Sequence, residues 1–365
     1  MKKIKVKTGN SSYPVLINNS YLNKLPVFLS MLDIYKNLFI VVDENVYKYH
    51  KEYIKKSFAG FGNKRYYYIL SSGERVKSAN ELKKIYNSLL ENKFGRDTIL
   101  IAIGGGVTGD IAGYAAATYM RGIQLVHVPT TLLAMIDSSI GGKTGINFGR
   151  WKNIIGAFYS PKLVFIDTKF LESLPVREFN SAIGELIKYG LIYGDDFYTF
   201  LFKNVDKIKS LESRIIIRAI SESVMIKAAI VSQDEFETRG VRKILNLGHT
   251  FAHAIESNLG FRIKHGEAVI LGIICIIFLS HNQGLLTNKE MDRLLQFPCS
   301  LKLPGIVKKI NNRFVIRAMS SDKKNVDEKL MFVLLSGAGK VIADVPIKNS
   351  LINLTLNKAK KACFV

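Results

Sequence analysis

Two histidines stand four residues apart in Asn246-Leu247-Gly248-His249-Thr250-Phe251-Ala252-His253, and Lys264-His265-Gly266-Glu267 adds a third twelve residues later. Three of the six histidines in the chain therefore lie within seventeen residues. On a helix, positions i and i+4 share a face, so His249 and His253 would present both imidazoles to one point. A carboxylate is at hand in Ile183-Gly184-Glu185-Leu186-Ile187-Lys188. Three protein ligands with one position left open is what a catalytic zinc requires. On spacing alone, both His249 and His253 read as ligands.

A second kind of chemistry is offered by Ile101-Ala102-Ile103-Gly104-Gly105-Gly106-Val107-Thr108-Gly109-Asp110, a strand running into a turn and then a helix. Glycines let the backbone approach a phosphate, and the helix start supplies N–H groups and a partial positive charge. Gly104, Gly106 and Gly109 fit the spacing of a dinucleotide turn. The acidic partner for a ribose should fall about 20 residues on, yet Arg121, Gly122, Ile123 and Gln124 stand there. Asp43 ends an earlier strand instead. Either the site is dinucleotide-binding with another strand order, or the turn is merely tight.

Ser138-Ser139-Ile140-Gly141-Gly142-Lys143-Thr144-Gly145 forms another glycine-rich loop. It is no nucleoside-triphosphate loop, since the first glycine of that motif is replaced by Asp137. It remains suited to an anion. Arg121, Lys143, Lys152, Lys188 and Arg242 each neighbour one of these motifs. Singly they are ordinary surface cations; together they point to a small, doubly anionic substrate.

The elements that must position these residues alternate through the first half. Apolar, β-branched runs at 38–42, 66–70, 98–103, 125–128 and 163–166 predict strands, with helical stretches at 78–92 and 109–120 between them. Buried strands alternating with helices predict a Rossmann-like, doubly wound α/β domain on a parallel sheet, over residues 1–174. Beyond it, 178–193, 211–234, 247–259 and 267–282 read as helices, and strand signals are rare until 330–335. Residues 175–365 are thus expected to form a mostly α-helical, metal-binding domain.

With 365 residues and 48% hydrophobic content, the chain can bury two sizeable cores. The net charge is +22, from 52 Lys and Arg against 30 Asp and Glu. The cations are scattered, which reads as a solvated surface with attraction for acidic small molecules. Nucleic-acid binding would require clustered cations with interleaved aromatics. Only Lys64-Arg65-Tyr66-Tyr67-Tyr68 hints at that, and a buried strand accounts for it better. The three cysteines are far apart in sequence and form no disulfide or zinc pattern. The start, MKKIKVKTGN, lacks an apolar secretory core, and the longest apolar run, 268–279, is too short to span a bilayer. A cytoplasmic protein without membrane or nucleic-acid partner is expected.

Taken together, GGGVTGDIAGYAAATYMRGI, VPTTLLAMIDSSIGGKTGIN, KNIIGAFYSP, GELIKYG, LNLGHTFAHAIE and HGEAV resemble the 3-dehydroquinate synthase family in order and spacing, from about Val41 to Lys340. The resemblance implies an NAD-binding α/β domain, a helical metal-binding domain, an active site between them and a homodimer. It implies zinc or cobalt on Glu185, His249 and His265, with His253 as a proton-relaying residue. It assigns substrate or catalytic positions to Arg121, Asp137, Lys143, Lys152, Asn153, Lys188, Lys227, Glu237, Arg242, Asn246 and, within Asp322-Lys323-Lys324, Lys324. For NAD it assigns Asp43, Glu74, Lys77, Gly105, Gly106, Val107, Asp110, Thr130 and Thr131, with Lys143 and Lys152 shared. The implied reaction turns 3-deoxy-D-arabino-heptulosonate 7-phosphate into 3-dehydroquinate and phosphate, in the shikimate pathway. It proceeds by NAD-mediated transient oxidation, β-elimination of phosphate, reduction, ring opening and aldol closure.

Two stretches depart from the family pattern. Phe148-Gly149-Arg150-Trp151 replaces a His-Pro-Leu-Gly type segment, and 234–242 is one residue longer. Two rival readings share the motifs in part: another sugar-phosphate cyclase, and a metal-dependent polyol or glycerol-phosphate dehydrogenase. The dehydrogenase would reduce NAD on balance, whereas a cyclase would not.

Overall fold

The computed structural model describes residues 1–9, 11–31, 37–149, 151–321 and 329–363. They divide into two compact units, one of Met1–Pro175 with Ser210–Phe236, the other of Val176–Lys209 with Glu237–Val365. A single cut at 174/175 therefore misplaces 210–236. The helix Ser213–Gln233 packs against the first strand of the first unit, because it is apolar along one face and that strand offers a half-buried surface.

In the first unit the strands are β1 (Lys2–Thr8), β2 (Ser11–Asn18), β3 (Asn37–Asp43), β4 (Lys64–Leu70), β5 (Thr98–Gly104), β6 (Gln124–Pro129), β7 (Lys143–Phe148), β8 (Trp151–Phe158) and β9 (Leu163–Asp167). Seven of them make one sheet in the order β1-β2-β9-β6-β5-β3-β4. β1 and β2 pair antiparallel, and the remaining pairings are parallel. β5 is buried along its whole length and β3 along its five central residues, as expected for strands covered on both faces. β4 is an edge strand, so Tyr66, Tyr67 and Tyr68 are half-buried and not buried as expected. Tyr66 stacks on Phe39 and the Tyr68 hydroxyl donates to Glu81, so the tyrosines serve packing.

The chain leaves β3 toward the edge strand β4, but leaves β5 in the opposite direction toward β6. The carboxyl ends of β3 and β5 are therefore neighbours whose connections diverge, which is where open α/β sheets bind ligands. Asp43 ends β3 and the Gly104-Gly105-Gly106 turn ends β5. The glycine-rich stretch expected as a loop at 138–145 is in part regular. Ala134–Ser138 is a π-helical turn, and Lys143 opens the β7–β8 hairpin. Gly141 and Gly142 join them at φ of +102° and +70°, where a side chain would be strained.

The second unit is mainly helical, with one antiparallel hairpin of β10 (Lys329–Leu335) and β11 (Val341–Lys348). Its central helix, His265–Asn282, packs against Val176–Tyr193, His249–Asn258, Asn288–Ser300 and Asn349–Ala362. By length and composition alone that helix could cross a membrane, but 78% of the apolar window is buried within the unit, as in a core helix. Two close crossings along it depend on glycine. A Cβ on Gly266 would stand 1.7 Å from the Ser181 carbonyl oxygen, and one on Gly272 would stand 2.2 Å from that of Gly248. Gly184 likewise faces Gly266.

Candidate active site and metal centre

The glycine crossings bring three helices to one point. Glu185 lies within Val176–Tyr193, beside the Gly184–Gly266 contact. His265 opens the central helix, and His249 follows Gly248 and opens its own helix. The Nε2 atoms of His249 and His265 stand 3.4 and 3.5 Å from the same oxygen, Glu185 Oε1. Hydrogen bonds of this type are ordinarily about 2.7–3.2 Å. Ligands placed tetrahedrally at about 2.1 Å from a zinc ion stand about 3.4 Å apart. The ligand atoms of Glu185, His249 and His265 thus have the separation and chemistry that fit a zinc- or cobalt-like ion. The other oxygen of Glu185, Oε2, contacts the Lys188 ammonium, and both side chains are almost fully buried.

His253 is not part of this trio. Its ring lies 5.5 Å from that of His249, on the same face as the i, i+4 spacing predicts, but is exposed and grouped with Glu256 and His265. Helical spacing could not distinguish the two histidines; the position of Glu185 on another helix does. The rings also differ electrostatically. Burial, reinforced by the Lys188 charge, lowers His249 to about 3. Burial pulls His265 down too, but the flanking carboxylates of Glu185 and Glu256 outweigh it and raise it to about 10. Arg242 is buried and paired with exposed Glu237 at 3.3 Å, and Asn246 is exposed at the end of the short turn Val241–Asn246.

In the first unit most of the residues assigned to NAD follow the carboxyl ends of β3, β4, β5 and β6. Asp43 caps the helix Glu44–Ser57 through Asn45 N and Val46 N, and accepts from Ser72. Gly105 caps Gly106–Thr118, with Val107 in its first turn. A Cβ on Gly105 or Gly106 would meet the Thr131 or Ser138 side chain at 3.0 Å, a tight contact that those side chains would have to relieve by a few tenths of an ångström. Thr130 is buried and donates its N–H to Gly104 O, while Thr131 Oγ1 accepts from Ala134 N. Buried Lys77 bridges Asp110 and Asn153. Burial raises the Asp110 carboxyl above its usual range in spite of that lysine. Exposed Glu74 accepts from Asn147.

Asp137 accepts from Lys227 with both its carbonyl and Oδ1, at 2.7 and 2.8 Å. Lys143 and Lys152 are exposed on the β7–β8 hairpin, with Asn153 held at a φ of 55°. Arg121 is exposed in a turn where Met120 and Arg121 both have positive φ. Lys324 lies outside the described residues. The sequence reading missed Glu256, although LNLGHTFAHAIE contains it, and the Arg177–Glu267 pair, although HGEAV contains Glu267. Their signal was a carboxylate three positions after His253 and another two after His265.

The chain matches the family model for the 3-dehydroquinate synthase N-terminal domain over residues 67–181 and that for the C-terminal domain over 182–325. The 3-dehydroquinate synthase of Pelagibacter ubique is 42% identical over 98% of each chain. The chain belongs to the 3-dehydroquinate synthase family. Another family member, from Desulforamulus reducens, is 38% identical over 98% of this chain and 100% of its own.

Among solved structures, 2-deoxy-scyllo-inosose synthase with carbaglucose-6-phosphate, NAD+ and Co2+ superposes with a TM-score of 0.86 at 25% identity, over 98% of this chain and 99% of that one. The 2-epi-5-epi-valiolone synthase of Streptomyces hygroscopicus, with NAD+ and Zn2+, gives the same score and identity over 97% and 98%. Glycerol dehydrogenase of Schizosaccharomyces pombe, at 17% identity and a TM-score of 0.64 over 96% and 89%, shares the fold with the 3-dehydroquinate synthase family.

Proposed function

We propose that this chain is a 3-dehydroquinate synthase, converting 3-deoxy-D-arabino-heptulosonate 7-phosphate into 3-dehydroquinate and phosphate in the shikimate pathway. The observation that carries this reading is the convergence of Glu185, His249 and His265 beside Lys188, in a chain of this family. When bound, NAD supplies reversible hydride transfer and zinc or cobalt supplies a Lewis acid.

The remaining work falls to side chains. Glu185, His249 and His265 hold the metal. Lys188 and Arg242 keep buried positive charge for an anionic substrate, a preorganised electrostatic cradle that needs no reorientation during reaction. Asn246 and Glu237 supply polar contacts at the same unit's surface, and exposed His253 carries protons. In the first unit Asp43, Glu74, Lys77, Gly105, Gly106, Val107, Asp110, Thr130 and Thr131 hold NAD around the divergence of β3 and β5. Arg121, Lys143, Lys152 and Asn153 receive the phosphate and hydroxyl groups, and the Asp137–Lys227 pair holds the Ser138–Ser139 turn. Lys324 is assigned to the substrate on motif alone. The units so divide the labour: NAD to the first, metal to the second.

We further read the chain as a cytoplasmic homodimer acting on a small molecule, without nucleic-acid or membrane partner. Exposed Phe148, Trp151, Ile154 and Phe158 on the hairpin support a second copy as neighbour. Sedimentation of the purified chain checks this.

The deciding assay is phosphate release from 3-deoxy-D-arabino-heptulosonate 7-phosphate, with and without NAD and a chelator. Release that needs NAD and metal, with no net NADH, is expected. A folded, metal-loaded sample that releases none overturns the reading. Net NAD reduction on a polyol would make it a dehydrogenase, and another carbocycle from another sugar phosphate would make it a different cyclase.

A further inference from the structure

His265 has a carboxylate at each ring nitrogen. Its Nε2 faces Glu185 Oε1 at 3.5 Å, and its Nδ1 stands 3.3 Å from Glu256 Oε2. Glu256 is buried on the helix His249–Asn258, which also carries His249 and His253. His249 solves the same problem with backbone, its Nδ1 lying 3.2 Å from Leu247 O. A histidine that binds metal through Nε2 needs its other nitrogen occupied by an acceptor, which fixes the tautomer and aims the lone pair. A carboxylate acceptor also makes the ligating nitrogen more basic than a carbonyl does.

The backbone under His265 is fixed separately. Gly266 N donates to Ser181 Oγ at 3.0 Å. Arg177 clamps Glu267 through Nε and Nη2, at 2.8 and 2.9 Å, and Glu267 Oε2 accepts from Lys264 N. These contacts set where the helix begins and leave the imidazole free to turn about its own bonds. Among the described residues, Glu256 supplies the acceptor facing His265 Nδ1, on the side of the ring away from Glu185.

We propose that Glu256 is a positioning residue of the metal centre: it accepts the Nδ1–H of His265, keeps Nε2 turned toward Glu185 and His249, and strengthens that nitrogen as a ligand. The proposal deepens the metal-dependent reading above and rests on it. It competes with a different role for the same atoms, since His253, Glu256 and His265 also place ligand atoms within 4.8 Å of one another and could take a second ion.

The test uses the full chain, stripped by chelator, with Zn2+ or Co2+ alone as probe. Wild type, Glu256→Gln and Glu256→Ala are compared for stoichiometry, affinity by chelator competition, and the visible spectrum of bound Co2+. Wild type should bind one ion. Glu256→Ala should weaken binding by roughly 10–100-fold and shift the Co2+ spectrum. Glu256→Gln keeps an oxygen acceptor without the charge, so it should restore the wild-type spectrum and part of the affinity; if the alanine variant fails to fold, this variant carries the test. Folded variants with wild-type affinity and spectrum overturn the proposal. So does a wild type that binds two ions while Glu256→Ala binds one, which makes Glu256 a ligand. A folded wild type that binds neither ion sinks the metal-dependent reading itself, an outcome distinct from either.

Discussion

His127 and His265 respond to their surroundings in opposite directions. His127 lies on β6, buried next to Gly109, and lines a small cavity with Ser138 and Ser139. Burial alone lowers it to about 4, against 6.5 for an ordinary histidine. The unfolded chain therefore takes up a proton near pH 6.5 that the folded chain refuses until about pH 4. The stability this group contributes is full above 6.5 and falls as pH drops through that window, by roughly 3 kcal/mol at most. His50 and His249 are lowered too and act in the same sense. Denaturant unfolding at pH 7 and pH 5 should show the loss in wild type and a smaller one in His127→Gln; equal slopes for both would remove His127 from the account. At the metal, His249→Ala should lose zinc and turnover together, and a variant that keeps both sinks its assignment as ligand. The residues whose ligand atoms meet, Glu185, His249 and His265, were legible in the sequence as a cluster. Which histidine is set aside came from the family resemblance and not from spacing, because spacing reports a shared helix face and not the place of a carboxylate on another helix.

Elements were legible where one residue pattern decides them. The buried strands β3, β5, β6 and β9 stand out as apolar runs, and the long helices of the second unit by their periodicity. β1 was missed because KKIKVKT alternates lysines with apolar residues at a solvated sheet edge, and β2 because Pro14 interrupts it. β7 and β8 were missed because their glycines signal a loop; Gly145 and Gly156 in fact pair across the hairpin, where a Cβ on Gly156 would lie 2.1 Å from Thr144 O. That hairpin presents Lys143 and Lys152, so Lys143→Ala should raise the Michaelis constant and slow phosphate loss without unfolding the chain. Unchanged kinetics would refute its role. Gly266→Ala tests the helix crossing: a methyl 1.7 Å from a backbone oxygen must push two helices apart. A destabilisation of about 1–3 kcal/mol is expected, with weaker metal binding. Thermal melts with and without zinc would measure both.

At the scale of the whole chain the +22 charge is the largest unassigned property. If it draws an anionic sugar phosphate toward the protein, kcat/KM should fall as ionic strength rises from about 0.02 to 0.5 M, while kcat changes little. A salt-insensitive kcat/KM would reduce the lysines to a solvated surface. The division of the chain was harder to read than its charge. The change from alternating strands to helices near residue 175 is visible in the sequence, but the return of 210–236 to the first unit is not. That helix looks like its helical neighbours, and only its packing on β1 tells them apart.

That return also sets a schedule for synthesis. The polypeptide leaves the ribosome N-terminus first, and domains generally fold as they emerge. The sheet can be extruded in full by Pro175, yet the helix that covers β1 arrives only with residues 213–233, after three helices of the other unit. Until then the nascent chain displays an uncovered apolar surface along its first strands. A stalled ribosome releasing residues 1–175 should therefore yield a chaperone-bound, aggregation-prone fragment, and one releasing 1–240 a protease-resistant core.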